Sequence, residues 1–132
     1  MAQYRRHDIM NPASPLLHWL GVLGAIGTLT LGMLGLCSPA RIARFVGLEA
    51  QDKTGFGEFR ATYGGLFVAL GAVPLWTGEP AAYLVAAAAW AGAAMGRAVS
   101  LAADGAWRER RSVGALAFES AWAALLAMGA VG

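Results

Sequence analysis

Residues 16–37 read LLHWLGVLGAIGTLTLGMLGLC. A helix that crosses a bilayer needs about 20 mostly apolar residues, and this stretch supplies them. Three more apolar segments follow, at roughly residues 58–76, 81–103 and 112–131. None alternates with a period of two, which argues against strands. In lipid every backbone amide must find its partner within the segment, which leaves helices. The expected fold is therefore all-α, an integral membrane four-helix bundle whose four transmembrane helices run up-down-up-down. It would form a single domain over residues 16–132, preceded by an N-terminal extension of residues 1–15.

Composition points the same way. The chain is 58% hydrophobic and 14% charged, where a soluble domain is about half apolar and about a quarter charged. That is too little polar surface to cover a soluble globule, so the competing reading, an Ala-rich soluble helical domain, fits poorly. Eighteen glycines suit membrane helices that approach closely. Segment 16–37 exceeds a signal-peptide core of ~7–15 residues and precedes no good cleavage site, so it is expected to stay in the protein.

Several function classes find no support. The single cysteine, Cys37, excludes an intramolecular disulfide and any paired-cysteine metal site. His7 and His18 are too few to build a histidine metal centre. There is no serine–histidine–acid set, phosphate loop or haem attachment motif. The net charge is only +2 and the arginines lie at segment ends, so nucleic acid is not an expected partner. No metal and no cofactor is expected.

The connections are short. Residues 77–80, TGEP, read as a tight turn, with Pro80 in the first turn of the third helix. Residues 104–112, DGAWRERRS, join the third and fourth helices. The longer link, SPARIARFVGLEAQDKTGFG at residues 38–57, offers Ser38 as an N-cap and Pro39 at the next position. Ile42, Phe45, Val46 and Leu48 group on one side, away from Arg41 and Arg44, which predicts a short interfacial amphipathic helix. An irregular loop is the alternative. Arg5 and Arg6 fall on one side of the membrane; Arg41, Arg44, Lys53, Arg108, Arg110 and Arg111 fall on the other, two against six. The second side is expected to be cytoplasmic, which puts loops 38–57 and 104–111 inside and both termini outside.

Charges within the apolar segments raise the functional question. Glu58 and Arg60 open the second segment. Arg97 lies near the cytoplasmic end of the third, with Ser100 and Asp104 on nearly the same face. Glu119 lies roughly 10 Å into the fourth. Antiparallel topology brings these to the same inner half of the bundle. A charge at the centre of a spanning helix costs about 2.5–3.5 kcal/mol, so Arg97 and Glu119 are expected to pair. Arg60 is expected to pair with Asp104 or Glu119. Gly64 and Gly65, and the Ala88, Gly92, Gly96 repeat, are expected sites of close helix packing. Tyr63, Trp90 and Trp122 are candidates to wall a pocket, with simple packing as the competing role.

Three roles suit such a group of charges. It can fix helix register without chemistry. It can hold a lipid headgroup or another amphipathic molecule. It can pass protons or ions, although the outer halves of the helices carry no charge to continue a path.

SPARIARFVGLEA, EFRATYGGLF and GRAVSLAADG, followed by a glutamate in the last helix, together resemble the uncharacterised bacterial membrane family called domain of unknown function 4345. Its patterns E-x-R-A-x-Y-G-G and G-R-x-x-S-x-x-x-D-G fall on Glu58, Arg60, Ala61, Tyr63, Gly64, Gly65 and on Gly96, Arg97, Ser100, Asp104, Gly105. The resemblance implies a small four-helix membrane protein and brings no activity. The expected function is a non-enzymatic protein of the bacterial inner membrane. It would serve as an accessory or scaffold subunit, with membrane lipids and a protein partner or second copy around it. The alternative is a binder or carrier of a lipid or other small amphipathic ligand at the charged group.

Overall fold

The computed structural model describes residues 14–50 and 52–132. The expected N-terminal extension lies almost wholly outside the described residues, as do Arg5 and Arg6. The order is α1 (Ser14–Cys37), α2 (Pro39–Val46), α3 (Lys53–Phe59), a π-helical segment (Arg60–Gly65), α4 (Leu66–Thr77), α5 (Pro80–Ala103), a 3-10 turn (Ala106–Arg108) and α6 (Arg110–Gly129). Among the described residues there is no strand.

Three helices are long and apolar enough to cross a membrane: α1 over Pro15–Cys37, α5 and α6. The expected second span is instead divided into α3, the π segment and α4. Arg60, Gly65 and Leu66 all keep right-handed helical angles, so the chain continues in one direction through the wider turn. A π turn shifts hydrogen bonding from the fourth residue to the fifth. Here it falls on a stretch ending in two glycines, which resist distortion least.

The amphipathic helix between the first two long segments is present as α2. Ser38 occupies the N-cap position, but its side chain makes no capping bond; its carbonyl accepts from Arg41 and Ile42 instead. Gly47 ends the helix at φ +79°, a left-handed conformation that glycine adopts without a Cβ penalty. The apolar side divides. Ile42 and Ala43 pack with Phe59 in a small core beside Leu34 and Tyr63, while Phe45 and Leu48 stay exposed.

α1 packs along both α4 and α6, and α5 packs mainly on α6. Glycines permit the α1 contacts. A Cβ on Gly35 would strike the Tyr63 carbonyl, one on Gly71 would strike the Leu29 amide, and one on Gly21 would strike the Gly129 backbone. Gly64 is held close to Leu36 in the same seam. The other expected packing glycines behave differently. A Cβ on Gly92 or Gly96 meets nothing within 4 Å, and on Gly65 only the Arg60 carbonyl at 3.9 Å. The small-residue seam belongs to α1, and among the described residues no helix packs against the α5 ridge at Gly92 or at Gly96, which lines a cavity. A run of small residues allows close approach; it does not select the neighbour.

A polar knot locks the central core. Thr28 is fully buried on α1 and donates its hydroxyl to the Gly24 carbonyl, 2.8 Å away. The same oxygen accepts from the indole of Trp90 on α5 and the indole of Trp122 on α6, both at 3.1 Å. Trp122 also reaches the Gly24 carbonyl at 3.1 Å. Three helices are thereby joined through one hydroxyl, with every group satisfied. Ala25, Tyr83, Ala86, Trp90 and Leu126 form the surrounding core.

Candidate functional site

α4 and α5 touch far less than their neighbours do. The space between them is a cavity of about 1010 Å³, bounded also by α2, the π segment and α6. Arg97 reaches it from α5 and Glu119 from α6. The left-handed Gly105, at φ +70°, and the 3-10 turn reverse the chain between those helices. That reversal brings together two residues that are 22 positions apart. Arg97 Nε donates to Glu119 Oε2 at 2.9 Å and Nη2 to Oε1 at 2.7 Å. This fork-to-fork geometry is the strongest form of the arginine–carboxylate contact. It is the one ion pair among the described residues. The Glu119 side chain is 10% exposed and the Arg97 side chain 33%, so the carboxylate is the group that depends on the pairing.

The rest of the lining is aromatic and aliphatic below, polar near one end. Phe67 and Phe118 flank Trp90, at ring separations of 5.1 and 5.7 Å. Because the Trp90 indole N–H is already bound to Thr28, the ring offers the cavity a hydrocarbon face. Tyr63 also lines the cavity, stacked on Phe59 at 5.5 Å. Trp122, expected as a wall, instead stacks behind Phe118 at 4.8 Å. Ser100, Ser112 and Thr62 contribute hydroxyls.

Arg111 completes the polar end and was not among the residues expected there. Its Nη2 donates to the Arg44 carbonyl at 2.8 Å and the Phe45 carbonyl at 3.4 Å, tying α6 to the C-terminal end of α2. A cation at that end of a helix is favourable. The sequence signal is the basic run just ahead of the fourth apolar segment, which by itself marks only topology.

The expected group of charges is thus divided. Arg97, Glu119, Ser100 and Tyr63 share the cavity. Arg60 does not join them: its Nε donates to the Leu36 carbonyl at 3.3 Å, capping the end of α1, and it pairs with neither Asp104 nor Glu119. α3 begins at Lys53, earlier than the expected start, and the π turn follows, so the helical phase of Arg60 differs from that of one straight helix. Glu58 is exposed on α3. Asp104 is exposed at the C-cap of α5, its backbone N–H on the Ser100 carbonyl.

No curated protein and no solved structure matches the chain. The family described as Domain of unknown function (DUF4345) matches residues 16–130, nearly the whole length, and the chain belongs to that family.

Proposed function

We propose that the protein is a non-enzymatic membrane protein that binds a small amphipathic molecule in the cavity between α4 and α5. The cavity itself carries this reading: about 1010 Å³, apolar around Phe67, Trp90 and Phe118, polar around Arg97, Glu119 and Arg111. Small-molecule pockets run to about 300–1,000 Å³ and combine an apolar lining with a few convergent polar groups. A molecule with a hydrocarbon body and a polar head matches that division. Glu119 is a poor candidate for a catalytic base, because both of its oxygens are engaged by Arg97.

In this reading the run α3–π–α4 is the fourth span, and the four spans form an up-down-up-down bundle in the bacterial inner membrane. Loops 38–57 and 104–111 face the cytoplasm, which places Arg111 at the inner headgroup level. The second reading is an accessory or scaffold subunit. It is favoured by one observation: Ala88, Gly92 and Gly96 form an exposed small-residue face on α5, suited to close contact with another membrane helix.

Binding to the folded state raises thermal stability by mass action. Dodecanoate, an amphiphile without a phosphate, added to the purified protein in a neutral detergent should raise the melting temperature of wild type. Ala93→Trp, which fills the cavity from α5, should abolish the rise. An equal rise in both proteins would place the binding elsewhere.

A further inference from the structure

α2 separates two different concavities. Its apolar residues Ile42, Phe45 and Val46 line the cavity described above. Its cations Arg41 and Arg44 line a second, shallower one of about 610 Å³, together with Lys53 of α3 and Arg60 of the π segment. Among the described residues no acidic side chain lines this depression. None of the four cations is in an ion pair among the described residues. The nearby Asp52 is committed to its own helix start, where it accepts from the Gly55 amide at 2.7 Å. Arg60 uses only Nε on the Leu36 carbonyl. Four like charges therefore converge on one concave surface without compensation.

We infer that this depression binds a phosphate group, presented by the headgroup of an anionic phospholipid. Arginine and lysine donors around a concavity suit a phosphate, which accepts several charge-assisted hydrogen bonds at once. The position selects the source. Cys37, the last residue of the apolar helix α1, also lines the depression. The basic mouth therefore lies where a spanning segment ends, and headgroup phosphates occupy that level. Basic residues on an amphipathic helix beside a membrane span recognise anionic lipid in this way. The inference is independent of the cavity between α4 and α5.

The test is a titration of the full chain in neutral detergent, followed by native mass spectrometry. The probes are dioleoylphosphatidic acid, dioleoylphosphatidylcholine and inorganic phosphate. Wild type is compared with Arg41→Gln/Arg44→Gln and with Arg108→Gln/Arg110→Gln, which removes the same charge from the other loop. The side chains of Arg41 and Arg44 make no hydrogen bond in the described structure, so an unchanged melting temperature is expected. Phosphatidic acid should bind wild type more tightly than phosphatidylcholine does. The first variant should weaken its binding roughly thirtyfold, as expected for two basic contacts at an anionic surface, and the second should change it little. Displacement of phosphatidic acid by millimolar inorganic phosphate would keep the phosphate site and assign it to a soluble ligand. Equal weakening in both variants, or no preference for phosphatidic acid, would overturn the inference.

Discussion

The seam along α1 and the gap between α4 and α5 are built by opposite rules. Where α1 meets α4 and α6, glycine lies against backbone and a buried hydroxyl ties three helices together. Where α4 faces α5, the helices part around a cavity, and the polar groups on its wall include an ion pair one-third exposed at its arginine. The first arrangement tolerates no added atom. The second leaves a cavity of about 1010 Å³ among the described residues.

Substitutions that read the two sides separately should therefore differ most. Gly71→Val drives a side chain into the backbone of α1, which cannot rotate away, and should destabilise the protein by about 3 kcal/mol, the upper end for overpacking. Unfolding in denaturing detergent measures this; a change near zero would mean that the seam is not close-packed. Arg97→Gln strands Glu119 and should cost about 2–3 kcal/mol, below the ~3–5 kcal/mol of a fully buried broken pair because Arg97 is partly exposed. Arg108→Gln should cost little. In a double-mutant cycle, Arg97→Gln and Glu119→Gln should be less than additive, and simple additivity would deny the coupling.

Thr28→Val keeps the shape but removes the one acceptor that Trp90 has among the described residues, while Trp122 retains the Gly24 carbonyl. A loss of about 1–2 kcal/mol is expected, with altered near-ultraviolet dichroism from Trp90. The smallest effect should come from Gly92→Ala, which meets nothing and gains helix propensity, stabilising by about 0.5–1 kcal/mol. A marked destabilisation there would show that the α5 face is covered by a partner in the preparation, which would favour the scaffold reading.

Much of this architecture is legible in the sequence because helices long and apolar enough to cross a membrane leave a plain mark in it. Long apolar runs mark the helices α1, α5 and α6, and the cost of a lone buried charge points from Arg97 to Glu119. The misplaced residues share a cause. Antiparallel topology brings Arg60 to the level of Asp104 and Glu119, but depth does not fix direction, and the π turn, which leaves no distinct mark in the chain, changes the phase of Arg60. Of the four expected packing glycines, Gly64 lies in the seam and Gly92 and Gly96 do not, because spacing reveals where approach is possible and not which helix makes it. The Thr28 knot was missed for a local reason. A threonine in an apolar helix ordinarily satisfies its proton on the carbonyl one turn back, as Thr30 does with Ile26. Nothing in its immediate surroundings shows that its lone pairs serve two distant tryptophans.

The most direct test of the account is native mass spectrometry of the gently extracted protein with and without Ala93→Trp. With Arg41→Gln/Arg44→Gln in both proteins, so that phospholipid at the basic depression does not contribute, the account predicts one small amphipathic molecule per chain with Ala93 and none with Ala93→Trp, both proteins being equally folded. A chain with Ala93 that carries no such molecule, or an Ala93→Trp chain that keeps it, would contradict the assignment of the cavity as a binding site.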